Sequence, residues 1–339
     1  MVAWPKLICD DKMVPMNTIK KSLLFLFVLP ALTCFSVEKT PHELTRDATE
    51  AYHNQKWGTV TSITHKILKE HPDSPFATDA LYLFGVANYK KGNFDVANKY
   101  LTVYLQQEAA SKYFEEAIKT KFMIAKDLYE GKGLQLLGKP HLPRTRKGHD
   151  VALSLFEEVI TTLPRHDVAA QSLFYKGKLL VEIDEYKEAI ESYETLIRRF
   201  PKHSLSPESY LEIGKIYIER CKSEFADPDM YDLAKINQER FERQFPTEPR
   251  LRVAKLQLRE IQEILSSELF FIGSFYERTK KKSAAQVYYS SIINRYPDTM
   301  NALKAKKRLQ ALKLSVLKQG QEPTKQEEIR DTLANTELS

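Results

Sequence analysis

Residues 173–201 read LFYKGKLLVEIDEYKEAIESYETLIRRFP, and this stretch decides the fold. Its small residues Gly177 and Ala189 are placed where two adjacent helices need to approach closely. The aromatic side chains of Tyr186 and Tyr193 fill the gap to a neighbouring pair of helices. Pro201 ends the second helix, because proline lacks an amide hydrogen and clashes with the preceding turn. The stretch therefore predicts a helical hairpin.

The same spacing recurs along the chain with a period of about 34 residues, which is typical of tetratricopeptide repeats. Residues 269–297 and 81–105 follow the pattern closely, and residues 44–72, 112–164 and 209–246 follow it in part. The small residues that let paired helices approach are Gly85, Ala97, Gly177, Ala189, Gly273 and Ala285. The prolines that close second helices are Pro72, Pro164, Pro201, Pro246 and Pro297.

A single hairpin cannot bury its own apolar face, so neighbouring hairpins have to stack. We therefore predict an all-α protein, in which residues 37–314 form a tetratricopeptide-type superhelix of about five to six hairpins. The apolar pattern of residues 250–279 continues without a breaker and predicts one long helix that enters the last hairpin. A capping helix is expected at residues 302–314. The alternative is an irregular all-helical bundle.

Two segments interrupt or follow this array. Residues 131–149 form a basic insertion, which is either a docking arm for an acidic partner or a tolerated surface loop, and the loop is the simpler interpretation. Residues 315–339 are polar and lack aromatic side chains, so we expect a disordered tail.

The N-terminal residues 1–36 are interpreted as a signal segment. Lys20 and Lys21 precede the apolar run Ser22–Leu32, and a basic flank before such a run is typical of a signal peptide. The run is shorter than the roughly 20 apolar residues that a membrane span needs. Met16 would begin a better signal than the first residue, because Asp10 and Asp11 place acid upstream. The alternative is a buried core helix.

Cys34 lies at the end of this apolar run and is a candidate for lipid attachment after cleavage. Ala31 and Thr33 depart from the usual lipoprotein pattern, and ordinary cleavage near Ser36 is the alternative. The sequence contains three cysteines, and removal of the signal segment would leave no obvious disulfide pair.

Composition and motifs argue against catalysis. The chain is 42% hydrophobic and 28% charged with a formal net charge of +6, which permits an acidic partner without requiring one. The glycines at 131, 133 and 138 do not have the spacing of a phosphate loop. His141 and His149 lack a cysteine or carboxylate at ligand spacing. The acidic residues around Pro228 lack the glycine and glutamate of a calcium loop. We expect no enzyme activity, cofactor, metal or nucleic-acid partner.

In a tetratricopeptide array the first helix of each hairpin lines a groove, and four positions of that helix point inward. Tyrosine at such positions suits an extended peptide, because it combines apolar area with a hydrogen-bonding tip. The alternative is that these aromatic side chains pack between helices. The candidate groove residues are Tyr52, Asp79, Tyr82, Val86, Tyr89, Phe174 and Lys178.

Residues 272–299, which read IGSFYERTKKKSAAQVYYSSIINRYPDT, resemble the last repeats of the BamD family of outer-membrane assembly lipoproteins. The segment FERQFPTEP at 241–249 and the first repeats extend this resemblance over residues 41–314. It implies a scaffold at the periplasmic face of the outer membrane, anchored by lipid on Cys34. Residues 41–110 would recognise unfolded barrel substrates, and residues 205–314 would dock a BamA-like protein.

Two features depart from that family, namely the poor lipid-attachment motif and one hairpin more than the usual five. Two other functions therefore remain open. One is an envelope adaptor for division or cell-envelope organisation, and the other is a non-catalytic subunit of an envelope enzyme.

Overall fold

The computed structural model describes residues 39–107, 112–132, 146–223 and 228–321. Within these ranges the chain forms thirteen α-helices and no strand. The predicted signal segment 1–36 and the candidate lipidation residue Cys34 lie outside the described residues. The helices are α1 Pro41–His53, α2 Trp57–Glu70, α3 Ala77–Lys90, α4 Phe94–Leu105, α5 Phe114–Tyr129, α6 Arg146–Thr162, α7 Asp167–Glu182, α8 Tyr186–Arg199, α9 Leu205–Ser223, α10 Pro228–Gln244, α11 Leu251–Arg278, α12 Lys282–Arg295 and α13 Met300–Gln321.

Consecutive helices pair into six hairpins, from α1–α2 to α11–α12, and α13 packs on α12 and α11. The first helix of each hairpin also contacts the first helix of the next. The structure thus confirms the all-α, tetratricopeptide-type fold with a final capping helix. The described part of the chain forms six hairpins, at the upper end of the predicted range.

The five prolines mark the ends of second helices with constant spacing. Each stands two residues after the last residue of α2, α6, α8, α10 or α12. The spacing is regular because a proline ring excludes the helical conformation from the residue before it. The α4 helix, which has no such proline, is followed instead by a short turn at Gln106.

The turn inside each hairpin is equally regular. Two residues after the ends of α1, α3, α5, α7 and α11, the chain adopts positive φ angles between 55° and 80°, at Gln55, Gly92, Gly131, Asp184 and Lys280. In each case the next residue donates its backbone N–H to the carbonyl five residues earlier, as Glu185 does to Leu180 over 2.9 Å. This left-handed cap satisfies carbonyls that the helix end leaves unpaired. Five of the six first helices therefore end in the same motif.

Inside three hairpins the small residues hold the paired helices in close contact. A Cβ atom on Gly85, Gly177 or Gly273 would lie 2.8, 2.6 or 2.9 Å from the side chain sixteen residues later, which is Leu101, Tyr193 or Tyr289. Ala97, Ala189 and Ala285 on the partner helices are fully buried.

The fifth hairpin departs from this packing. Gly214 of α9 faces Gln257 of α11 rather than a side chain of its partner helix α10. The Gln257 side chain is buried and donates from Nε2 to the carbonyl of Leu211 over 3.1 Å. The long α11 helix, predicted over residues 250–279, is confirmed at Leu251–Arg278. Its first half packs on the fifth hairpin, and its second half pairs with α12.

Two predicted boundaries are corrected. Helix α6 begins at Arg146, so residues 146–149 of the insertion predicted at 131–149 are helical; residues 133–145 lie outside the described residues. Helix α13 continues to Gln321, so residues 315–321 are helical where a disordered tail was predicted. Residues 313–319 contain good helix formers and no glycine or proline, so nothing ends the helix before Gly320. Residues 322–339 lie outside the described residues. Among the described helices, none combines the length and apolar character that crossing a bilayer requires.

Candidate functional site

A cleft of about 720 Å³, lined mainly by polar and charged residues, lies beside the first two hairpins. Its α1 side carries His42, Arg46, Glu50 and His53, and its other side carries Asp79 of α3 together with Phe76, Lys112 and Tyr113. The cleft is therefore built from first helices and from the residues that lead into them. Its walls combine both signs of charge with two aromatic rings.

Lys112 closes one side of the cleft through an ion pair with Asp79. Its Nζ lies 2.6 Å from Oδ2 of Asp79 and 4.7 Å from the centre of the Tyr113 ring. The hydrogen bond to Asp79 raises the pKa of Lys112 to about 12, so this side chain is cationic at neutral pH. Arg46 is largely exposed and lies 3.5 Å from Asp47.

Three of the predicted groove residues are buried, so the groove prediction is wrong for them. Tyr82, Val86 and Phe174 are no more than 5% exposed. The Tyr82 ring stacks on that of Tyr113 with 4.3 Å between ring centres, and burial raises the pKa of the Tyr82 hydroxyl far above its usual range. Tyr113, just before the next first helix, covers Tyr82, whereas Phe174 packs edge-on against Tyr193 of its own partner helix with 5.8 Å between ring centres.

The remaining four predicted groove residues are partly exposed. Asp79 lines the cleft, whereas Tyr52 packs edge-on against Trp57 with 5.6 Å between ring centres. The Tyr89 hydroxyl donates to Oδ2 of Asp127 over 3.1 Å, and its pKa is raised to about 12, first by burial and then by that carboxylate. Lys178 lies 5.0 Å from the centre of the Phe174 ring. The structure does not bring these four residues together.

A row of polar contacts between successive first helices was not predicted. In each contact, a basic side chain just before one first helix pairs with an acidic side chain in the first turn of the previous one. The pairs are Lys112–Asp79, His166–Glu115, His203–Asp167 and Arg250–Glu208. His42 and Phe76 occupy the first junction as an edge-on ring pair with 5.5 Å between centres. We name these four charged pairs the junction pairs.

A sequence signal for three of these pairs exists. His166 and His203 stand two residues after Pro164 and Pro201, and Arg250 stands four residues after Pro246. A basic residue soon after a closing proline is therefore placed before the next first helix. The acidic partner is a hairpin away in sequence, which explains why periodicity alone does not reveal the contact.

The two histidines of the junction pairs also cap helices. The backbone N–H of Val168 donates to Nδ1 of His166, and that of Leu205 donates to Nδ1 of His203, each over 3.1 Å. Because Nδ1 accepts, the proton of the neutral ring lies on Nε2, which lies 2.9 Å from Glu115 and 2.8 Å from Asp167. The hydrogen bond from His203 is the main reason that the pKa of Asp167 is lowered.

No group of three or more His, Cys, Asp or Glu side chains in the described part of the chain is arranged to hold a metal ion. Cys221 lies buried within α9.

Residues 161–309 match the model of a tetratricopeptide repeat family, and this range includes α7 to α12. Solved structures with similar folds have low sequence identity to the chain. A MamA protein is 14% identical and covers 61% of this chain and 92% of its own, with a TM-score of 0.39. A tetratricopeptide repeat protein of Parabacteroides merdae is 12% identical, with coverage of 80% and 98% and a TM-score of 0.37. One from Thermus thermophilus is 17% identical, with coverage of 65% and 99% and a TM-score of 0.31. No curated protein matches the sequence.

Proposed function

We propose that this protein is a scaffold that binds a segment of another protein in the cleft beside α1 and α3. The observation that supports this function is the chemistry of the cleft walls. Arg46, Glu50 and Lys112 offer charges of both signs, and the side chains of His53 and Asn54 offer hydrogen bonds beside them. Such walls suit a polypeptide with exposed backbone groups, which needs donors and acceptors at several points along its length.

The cleft is open and shallow, which favours a polypeptide over a small molecule. Small-molecule sites are enclosed and mostly apolar, with few polar groups. Here nine of the eleven lining residues are polar or charged, and the other two are Phe76 and Tyr113.

Within that function, we infer a BamD-like role in the assembly of β-barrel proteins in the outer membrane. Its support is the resemblance of residues 272–299, 241–249 and the first repeats to that family. In this role the cleft side of residues 41–110 receives unfolded barrel substrates, and residues 205–314 dock a BamA-like partner. The protein then works at the periplasmic face of the outer membrane, held there by lipid on Cys34.

Site-specific photocrosslinking tests the cleft. A benzoylphenylalanine residue is introduced at Glu50, which lines the cleft, and separately at Lys66, a partly exposed residue of α2 outside it. A urea-unfolded barrel protein, diluted into buffer with the intact scaffold, is expected to crosslink at residue 50 and not at residue 66. Equal crosslinking at both residues would contradict binding in the cleft.

Two further measurements separate the scaffold from its BamD-like role. Purification of the full chain from its native envelope is expected to retain a barrel-assembly protein; loss of that partner, with crosslinking at residue 50 retained, refutes only the BamD-like role. Metabolic palmitate labelling of the wild type and of Cys34→Ala tests the anchor. An unlabelled wild type would refute lipid attachment.

A further inference from the structure

Two phenylalanines lie bare on the second half of α11. Phe271 is 68% exposed and Phe275 is 50% exposed, and they are one helical turn apart on the same face. Ile272, beside them, is also exposed. An exposed group of this kind marks an interaction site more often than scattered single apolar residues do. We name Phe271, Ile272 and Phe275 the α11 apolar face.

In the second and fourth hairpins, the equivalent positions lie in the core or pack on the preceding hairpin. Phe271 and Phe275 stand two residues before and two residues after Gly273, the glycine that packs on the partner helix. The same two positions around Gly85 are held by Leu83 and Ala87, at 3% and 0% exposure. Both belong to a core cluster that includes Ala48, Ala51 and Val60 of the first hairpin.

The fourth hairpin shows the same arrangement. Tyr175 and Leu179 flank Gly177 at these positions, and Leu179 is fully buried. The Tyr175 ring packs on Phe122 and Phe156 of the third hairpin, with ring centres 6.0 and 6.4 Å apart. In the second and fourth hairpins, then, side chains at these two positions pack on the preceding hairpin.

The unusual length of α11 explains why the sixth hairpin differs. The first half of α11 takes the contacts with the fifth hairpin, through Lys255 to Glu242, Gln257 to the Leu211 carbonyl, and Gln262 to the Tyr231 hydroxyl. The second half of α11 lies beyond those contacts and still pairs with α12 through Gly273. Its Phe271 and Phe275 side chains therefore occupy positions that pack on a preceding hairpin in the second and fourth hairpins, and within the described ranges they stay exposed.

Positive charge adjoins the α11 apolar face. Arg278, Lys280 and Lys281 follow Phe275 within six residues, and all three are exposed. Residues 266–312 contain nine Lys and Arg residues and three Asp and Glu residues, whereas the whole chain has a formal net charge of +6. Two of the three acidic residues already have interactions within the chain. Glu277 pairs with Arg308, and Glu268 also has a partner.

We propose that the α11 apolar face docks an amphipathic α-helix of a partner protein, with acidic residues flanking the apolar stripe of that helix. The helix takes the place that a preceding hairpin takes at Leu83 and Tyr175. Its apolar residues contact Phe271, Ile272 and Phe275, and its carboxylates lie against Arg278 and Lys280. An aromatic pair of this kind supplies large contact area, and the flanking charges select the partner.

Selection from a displayed library of helical 18-residue peptides tests this site. The intact protein is the bait, and the double variant Phe271→Ala/Phe275→Ala is the counter-bait. The enriched peptides are expected to be amphipathic, with Glu or Asp beside a Leu, Ile or Phe stripe. Measured by fluorescence anisotropy, their affinity is expected to fall at least tenfold on the double variant and to fall with added salt. Enriched peptides that bind both proteins equally, or that carry no acidic residues, would overturn the proposal.

Matched variants distinguish this site from general damage. Leu256→Ala removes a side chain of similar exposure, 54%, from the first half of the same helix and is expected to leave affinity unchanged. Lys280→Glu/Lys281→Glu is expected to weaken acidic peptides and to spare folding, which circular dichroism checks. The cleft crosslink at residue 50 is expected to persist in all of these variants, so failure at α11 and failure at the cleft are separate results.

Two other occupants are outcomes of the same set of proteins. Phosphatidylglycerol vesicles that sediment the wild type but not the double variant, with no peptide preference, would assign the face to a membrane instead. A dimer in sedimentation equilibrium that the double variant dissociates would assign it to a second copy. Either result would overturn a partner helix as the occupant.

Discussion

Gly177 lies directly against the ring of Tyr193, so that a methyl group on residue 177 would come within 2.6 Å of the ring's Cζ. The same relationship joins Gly273 to Tyr289 at 2.9 Å and Gly85 to the side chain of Leu101 at 2.8 Å. A glycine in a helix interior weakens the helix by about 1 kcal/mol relative to alanine. Here the close approach of two helices requires it.

Gly177→Ala is expected to destabilise the protein by about 1–3 kcal/mol, because overpacking forces the buried Tyr193 ring to move. Urea unfolding measures the change. Gly58→Ala is the matched control, since a Cβ atom there meets nothing within 4 Å. The control is expected to be neutral or stabilising by up to about 1 kcal/mol. Equal effects at both positions would contradict the packing role of Gly177.

Gly214 and Gln257 are expected to be energetically coupled. Gly214→Ala alone pushes against the Gln257 amide and is expected to destabilise by about 1–3 kcal/mol. Gln257→Ala alone removes the hydrogen bond from Nε2 to the Leu211 carbonyl, which keeps its partner within helix α9, and is expected to cost about 1 kcal/mol. In the double variant the new methyl group has room, so the combined loss is expected to be smaller than the sum. Additive losses in the double-mutant cycle would show that the two side chains do not meet.

Lys121 is buried in α5, where Nζ donates to Thr102 over 2.8 Å and pairs with Glu158. The Glu158→Ala variant leaves the buried Lys121 cation with a single hydroxyl partner and is expected to destabilise the protein by about 2 kcal/mol. This loss is smaller than that from breaking a fully buried ion pair, because Glu158 is partly exposed. Lys121→Met replaces the cation with an apolar side chain of similar length. It is expected to be near neutral or stabilising, and thermal unfolding of both variants provides the comparison.

Burial lowers the pKa of Lys121 below its ordinary 10.5, and the pair with Glu158 only partly opposes this. The unfolded chain then binds more protons at this residue than the folded chain does. Stability of the wild type is therefore expected to rise relative to Lys121→Met as the pH increases toward 10.5. A difference between the two proteins that stays constant from pH 8 to 10.5 would contradict the lowered pKa.

His203 is expected to stabilise the protein at neutral pH through both ring nitrogens. His203→Ala removes the cap on Leu205 and the hydrogen bond to Asp167, with an expected loss of about 1 kcal/mol. His65→Ala, at an exposed residue of α2, serves as the control and is expected to change stability little. Guanidinium unfolding at pH 7 measures both.

The pKa of Asp167 is lowered mainly by its hydrogen bond with His203, so its contribution to stability is present above pH 3.8 and is lost as the pH falls through the folded-state pKa. The acid limb of the stability curve below pH 3.8 is therefore expected to be shallower in Asp167→Asn than in the wild type. An unchanged limb would show that the His203–Asp167 pair does not form in solution.

Much of the architecture was determined by the sequence alone. The prolines at 164, 201 and 297 predicted helix ends, and the glycine and alanine positions predicted where paired helices touch. These features are local, because a proline ends a helix through its own ring and a glycine leaves room through its missing side chain. The unbroken apolar pattern of 250–279 likewise predicted α11, since nothing within that segment disfavours a helix.

Only the tertiary structure decided which faces the hairpins cover. Leu83 and Phe271 both stand two residues before the glycine of a first helix, yet Leu83 is buried and Phe271 is exposed. The difference arises because the first half of α11 makes the contacts with the fifth hairpin, whereas Phe271 lies in its second half. Periodicity along a helix determines which side chains share a face, whereas the covering element comes from residues far away in sequence and depends on how the helices pack.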